Sequence, residues 1–168
     1  MPYVRRLFLD RAVEMVTLAH RTKGLIVAAG NPKGIKTPFD LAREDVTLIN
    51  QNPGSGTRFW LDRELTRLGL PVAKIRGYEK CVGTYDEAAK IVQAGQADVA
   101  VGTQSAAWKV GLGFIPLFDE RYDLVYSVEQ AQLVGPLLAY LQTSDFRKAL
   151  GAMPGYSTAR SGERIPIN

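Results

Sequence analysis

One stretch constrains the fold of this chain more than any other. Val46-Thr47-Leu48-Ile49 is a β-branched, apolar run; Asn50-Gln51-Asn52-Pro53-Gly54-Ser55-Gly56-Thr57-Arg58 interrupts it; Phe59-Trp60-Leu61, with Leu65 and Leu68, then repeats at helix-face spacing. The break predicts a strand that turns sharply into a helix. Its two glycines let the backbone fold tightly and leave amide N–H groups uncovered, Ser55 and Thr57 bring hydroxyls, and Arg58 brings a permanent planar cation. Two readings of this turn stand side by side. Ser or Thr ahead of an apolar helix is a common N-cap, and Gly-Ser is a common turn. A cation in the first helical turn, however, opposes the helix dipole by about 0.3–1 kcal/mol when exposed, and makes more sense with an anion in front of it.

The same alternation recurs along the chain. Residues 3–15 have apolar side chains at Val4, Leu7, Phe8, Ala12 and Met15, and predict a helix with Arg5 and Arg6 facing away. Val16-Thr17-Leu18-Ala19 reads as a strand or as a continuation of that helix. Gly24–Ala29 is a clearer strand, and the basic run His20-Arg21-Thr22-Lys23 between the two reads as a bend between layers or lobes. Thr37-Pro38-Phe39-Asp40 combines an N-cap, a proline at the first helical position and an acid three residues on. After the helix at 57–68, Val72–Tyr78 reads as extended. Thr84-Tyr85-Asp86-Glu87 is a capping box for a helix that Gly95 stops, and Ala97–Gly102 reads as a buried strand. A helix at 105–110, a stretch at 114–118 leading away from it, a strand at 122–127 and helices near 131–142 and 144–151 complete the pattern. Strands alternating with helical stretches of this length imply βαβ units and a largely parallel sheet. Ligands in such sheets gather at the strand carboxyl ends, where the loops at 51–57, 79–84 and 102–105 are expected to converge.

Composition narrows the options. With 168 residues and 46% hydrophobic content, the chain suits one domain with a sizeable core. The lone Cys81 rules out an intrachain disulfide framework and a Cys-rich zinc site. No segment approaches the roughly 18 apolar residues that span a bilayer. Asp10, Arg11 and Glu14 interrupt what a signal peptide would need as an apolar core, so the expected location is cytoplasmic. The net charge of +4 leans towards anionic partners without naming one.

Taken in order, Arg21-x-x-Gly24-Leu25-x-Val27-x-x-Gly30-Asn31-Pro32, Asn50-x-x-x-Gly54-Ser55-Gly56-Thr57-Arg58, Gly77-Tyr78, Gly95-x-Ala97-Asp98-Val99, Gly113-Phe114-Ile115-Pro116-Leu117, Tyr122-Asp123-Leu124 and Pro154-Gly155-Tyr156 resemble the type 2 periplasmic-binding-protein-like domain. The related groups are the molybdate and tungstate binders and the effector lobes of LysR-type regulators. The resemblance covers almost the whole chain. It implies an α/β fold with a largely parallel sheet flanked by helices, lacking much of the usual N-terminal lobe. The whole of 1–168 would be one such domain, with a complete second lobe at about 30–105 and the remainder hinge strands and part of the first lobe. It further implies non-catalytic binding or sensing of a small anion, most simply a tetrahedral oxyanion such as molybdate or tungstate. The alternative is a ligand-free structural or regulatory interaction domain, or the effector module of a transcription regulator.

For an oxyanion, the expected contacts are the Ser55 and Thr57 hydroxyls, the Gly56 amide, the Arg58 charge, and Thr84 with Tyr85 from the next helix start. Thr84 also has the simpler role of capping its own helix. A micromolar complex needs about 8 kcal/mol. A helix end supplies at most roughly 2 kcal/mol, and a charged hydrogen bond about 1.5–3 before desolvation. The loop alone would bind weakly, so a homodimer partner or a separate protein is expected to complete the cleft. No catalytic or metal site is expected and no cofactor. Ser55 lacks the first glycine of a GxSxG elbow, His20 is the only histidine, Gly30–Lys36 misses the phosphate-loop spacing, and the carboxylates are scattered. Direct nucleic-acid binding is not expected, because no reader motif accompanies Arg5, Arg6 and Arg11.

Overall fold

The computed structural model of the protein describes residues 2–8 and 11–166. It divides into two compact units: Thr22–Phe118, and Met1–Arg21 together with Asp119–Asn168. Two long strands run through both, β1 (Val13–Val27) and β5 (Gly113–Ser127).

In the Thr22–Phe118 unit the strands lie in the order β3-β2-β4-β1-β5, with β2 at Leu48–Gln51, β3 at Cys81–Val82 and β4 at Val99–Thr103. Strands β2, β3 and β4 are mutually parallel, while β1 runs antiparallel to β4, so the sheet is parallel on one side of β4 and mixed across it. Helix α2 (Gly56–Arg67) covers one face. There Leu61 and Leu65 pack on Leu25, Val27, Leu48, Val99 and Val101. Helices α3 (Tyr85–Gln93) and α4 (Gln104–Lys109) cover the other, where Ala88, Ala89, Val92, Ala106 and Ala107 meet Ile26, Ile49 and Ala100. The alternation of side chains along β1, β2 and β4 feeds both layers, each fully buried Leu, Ile or Val contributing about 1.5–3 kcal/mol. Each of the three parallel strands runs directly into a helix, so the starts of α2, α3 and α4 lie at the carboxyl ends of β2, β3 and β4.

The second unit is held by a smaller core of Val16, Tyr126 and Leu141, against which Leu138 of α5 (Ala131–Tyr140) and Phe146 of α6 (Ser144–Gly151) pack. Strands β6 (Tyr156–Ser157) and β7 (Arg164–Ile165) pair antiparallel with β1 at His20–Arg21 and Met15–Val16.

Several expected elements differ. The helix predicted over 3–15 is α1 at Pro2–Leu7 only, and β1 has begun by Val13; Leu9 and Asp10 lie outside the described residues. Sheet pairing of Met15 and Val16 outweighs the helical spacing of this apolar set. His20–Lys23 is no bend: both flanks belong to the same strand, held by β6 on one stretch and β4 on the next. Residues 114–118 likewise continue into 122–127 as one strand. Val72–Tyr78, expected to be extended, is a 3-10 turn at Val72–Lys74 followed by further turns. Gly77, at φ +81°, lets that segment press against β2: a Cβ there would lie 2.1 Å from the Leu48 carbonyl oxygen. The Thr37 signature does start a helix, the short 3-10 segment Pro38–Ala42, with the Thr37 amide donating to the Asp40 carboxylate at 2.9 Å.

Candidate functional site

The carboxyl end of the parallel strands collects most of the expected ligand residues. Ser55 is the N-cap of α2, its Oγ accepting the Arg58 amide at 3.1 Å. Capping uses a lone pair of that hydroxyl and leaves its proton to be donated, so cap and ligand contact are compatible roles for one side chain. The amides of Gly56 and Thr57 belong to the first helical turn, which has no intrahelical acceptors to offer them. Gly54, at φ +87°, makes the turn that precedes them, closed by the Ser55 amide donating to the Asn52 carbonyl at 3.2 Å. Thr84 caps α3, accepting the Glu87 amide at 3.1 Å, while the Glu87 carboxylate accepts from the Gly83 amide at 3.2 Å.

The chemistry beneath this rim centres on a residue that the loop motif does not contain. Lys23 of β1 is fully buried, and its ammonium donates to Thr57 Oγ1 at 2.9 Å and to the Tyr85 hydroxyl. The same ammonium lies 3.9 Å from the centre of the Tyr85 ring. Thr57 Oγ1 and the Tyr85 hydroxyl are themselves 2.7 Å apart, so Thr57, Tyr85 and Lys23 form one hydrogen-bonded triangle linking α2, α3 and β1. Opposite Lys23 in the sheet register stands Thr103, which caps α4 through Ala106 and shares a hydrogen bond with Ser105 at 3.2 Å. The starts of α2 and α3 therefore meet at this buried cation, and their dipoles add positive potential on the same side.

Arg58 sits apart from that triangle. It is buried, its Nε donates to Asp62 at 3.0 Å one helical turn on, and its guanidinium stacks 3.9 Å from the centre of the Tyr78 ring. Tyr78 closes the set by donating to the same Asp62 oxygen at 2.6 Å. Burial alone would depress the guanidinium's pKa, but Tyr78 and Asp62 outweigh it and hold it above its usual value. Burial and the hydrogen bond to Asp62 push the Tyr78 phenol up, against the opposing pull of Arg58. The guanidinium is therefore engaged in locking α2 to the loop at 78–81, where Cys81 Sγ lies 3.5 Å from it.

Lys23 is thus a residue of this corner that the loop motifs did not reveal. The signal for Lys23 was available: it alternates with Leu25 and Val27 on a strand, which turns a lysine inward. A surface recess of about 450 Å³ lined by Val72, Ile75, Tyr78 and Lys80 includes none of the expected ligand residues. Among the described residues no group of three or more His, Cys, Asp or Glu could hold a metal, and no helix is long and apolar enough to cross a membrane.

Residues 1–142 match the PBP_like family, a PBP superfamily domain. The chain belongs to that family. This PBP-like domain is 38% identical over 164 residues to the protein YvgK of Bacillus subtilis (strain 168), an alignment covering 98% of this chain and 53% of YvgK. It therefore spans about half the length of that relative. It is also 29% identical over 108 residues to a protein encoded in the 5′ region of the ferredoxin 2Fe-2S gene of Clostridium pasteurianum, covering 62% of this chain and 96% of that one. Among solved structures, the PBP-like fold superposes on PEB3 with bound L-phospholactate, at a TM-score of 0.62 and 16% identity over 85% of this chain and 68% of PEB3. The substrate-binding domain of a putative molybdenum ABC transporter from Clostridium difficile gives 0.58 at 19% identity, over 93% of this chain and 72% of that one. These likenesses establish the fold.

Proposed function

We propose that the Thr22–Phe118 unit binds a small anion and releases it chemically unchanged, with tetrahedral oxyanions such as molybdate and tungstate as the leading class. The observation that carries this reading is the buried Lys23 ammonium, hydrogen-bonded to Thr57 and Tyr85 where the starts of α2 and α3 meet. A fully ionised oxyanion needs only donors, and this rim is rich in them: the Ser55 hydroxyl, the Gly56 and Thr57 amides and the start of α3 at Thr84 and Tyr85. Two structural neighbours support the same class, one holding L-phospholactate, which carries a tetrahedral phosphoryl group, the other being the substrate-binding domain of a putative molybdenum ABC transporter. In this reading Arg58 positions α2 rather than touching the ligand. The Thr22–Phe118 unit then supplies one complete lobe, expected from sequence at about 30–105, and a second copy or a separate protein supplies the facing wall.

Isothermal titration with molybdate, tungstate, sulfate and L-phospholactate tests the proposal, with Tyr85→Phe as control. Heat from at least one of them, weakened by Tyr85→Phe, is the expected result. No heat from any of the four overturns it. Light scattering after size-exclusion chromatography addresses the facing wall: a strict monomer at the working concentration removes the homodimer.

A second reading has its own support. Lys23 and Thr57 are buried and Arg58 is tied to Asp62, as expected of a corner closed for structural reasons. An interaction domain without a ligand would show an unchanged melting temperature in all four anions, so the same samples separate the two readings.

A further inference from the structure

Gln51 is a buried polar residue whose carboxamide nitrogen has no hydrogen-bond partner. It is the last residue of β2 and only 4% exposed; its backbone N–H donates to Asn50 Oδ1 at 2.9 Å, and its Cα pairs with Val82 of β3. Alternation along β2 puts Gln51 on the same face as Ile49, which packs in the layer of α3 and α4. Leu48 and Ile49 pair with Val99 and Ala100. Continuing that register sets Gln51 level with Gly102, where a Cβ would lie 2.6 Å from Ile26 Cδ1 and 3.5 Å from the Tyr85 ring. Gln51 therefore stands at the carboxyl end of β2, paired with the end of β3 and level with Tyr85 at the start of α3.

A buried amide N–H left without an acceptor is costly, and native structures carry few of them unless a ligand or water supplies the acceptor. The hydrophobic residues of that layer, among them Ile49, Val82, Ala88 and Ala106, offer no side-chain acceptor. We infer that Gln51 is a specificity-determining ligand contact, whose carboxamide donates to an oxygen of an anion held at the starts of α2 and α3. This inference rests on the anion reading above and deepens it. It adds a neutral donor at the floor of the site, so the preferred ligand presents an unprotonated oxygen inward as well as towards the rim.

Gln51→Met and Gln51→Glu test it. Gln51→Met keeps the volume and removes the unmet donor; it is expected to raise the ligand-free melting temperature and to weaken molybdate or L-phospholactate binding about tenfold, the fold-change of one charge-assisted hydrogen bond. Gln51→Glu replaces the donor with a carboxylate and is expected to abolish the heat of titration. A residue with only a packing role would move stability down and leave affinity alone. Wild-type affinity in Gln51→Met overturns the inference, as does a ligand-free melting temperature that stays level or falls. If the wild-type protein titrates with none of the four anions, the anion reading falls; the ligand-free melt still decides whether Gln51 carries an unmet donor.

Discussion

Arg58→Met separates a structural arginine from a ligand-binding one. Methionine keeps the aliphatic stem of this buried side chain and removes only the guanidinium. Two interactions carry most of the loss, since the contacts to the Tyr78 carbonyl and Cys81 Sγ are long, at 3.5 Å each. The stack on Tyr78, at 3.9 Å and partly desolvated, contributes about 1 kcal/mol. The pair with Asp62 lies at 3.0 Å in i,i+4 spacing, but the Asp62 side chain is 43% exposed, so solvent screening limits it to roughly 0.3–0.5 kcal/mol. The sum is about 1.5 kcal/mol, which for a chain of this size lowers the melting temperature by roughly 3–6 °C. Differential scanning calorimetry reads that shift, and titration with molybdate reads the affinity of the same preparation. The expected result is a lower melting temperature with molybdate affinity within about threefold of wild type, since the Lys23 triangle is untouched. An unchanged melting temperature with binding lost would refute the reasoning and return Arg58 to the ligand.

Three further substitutions probe other parts of the argument. Thr57→Val is nearly isosteric and leaves the buried Lys23 ammonium one acceptor short; it should cost about 1–3 kcal/mol in urea unfolding, and no loss would show that the triangle is not under strain of this kind. Gly77→Ala forces a side chain into a left-handed backbone and against the Leu48 carbonyl, and should cost roughly 3 kcal/mol or more by the same assay. Asp40→Ala removes the acceptor for the Lys36 and Thr37 amides and should cost about 1 kcal/mol at neutral pH. Burial alone would raise the Asp40 pKa, but those two amides, the Thr37 hydroxyl and Arg43 bring it below its ordinary 3.8. The stabilisation is therefore complete above that ordinary value and lost as pH falls through the lowered one, so the difference between wild type and Asp40→Ala should close in acid.

Local signals carried the parts of this fold that local chemistry decides. Ser55, Thr84 and Thr37 start helices where capping chemistry says they should, Gly95 ends one, and the strand-turn-helix at 48–67 forms as its apolar pattern requires. What escaped was decided at long range. Nothing near residues 13–27 announces that partners more than 70 positions away, at 99–103, 156–157 and 164–165, will straighten the basic run into a single strand. The same applies to the site. The loop motifs point to Ser55, Gly56, Thr57, Arg58, Thr84 and Tyr85 for the proposed site, whereas the place of Lys23 beside Thr57 and Tyr85 and the stack of Arg58 on Tyr78 are set by the tertiary fold. Arg58 found its carboxylate four residues away on its own helix, a spacing visible in the sequence, but its stack on Tyr78 required the turn that Gly77 permits.

If the proposed site binds anions, its preference for negative charge resides in a sheet strand and its preference for shape resides in turns. Lys23 is fixed opposite Thr103 inside the sheet and can be exchanged only by repacking both helical layers, whereas the residues at 52–56 and 83–84 tolerate change without disturbing the core. Relatives of this domain can then drift in which anion they select while the sign of the ligand stays fixed by the scaffold.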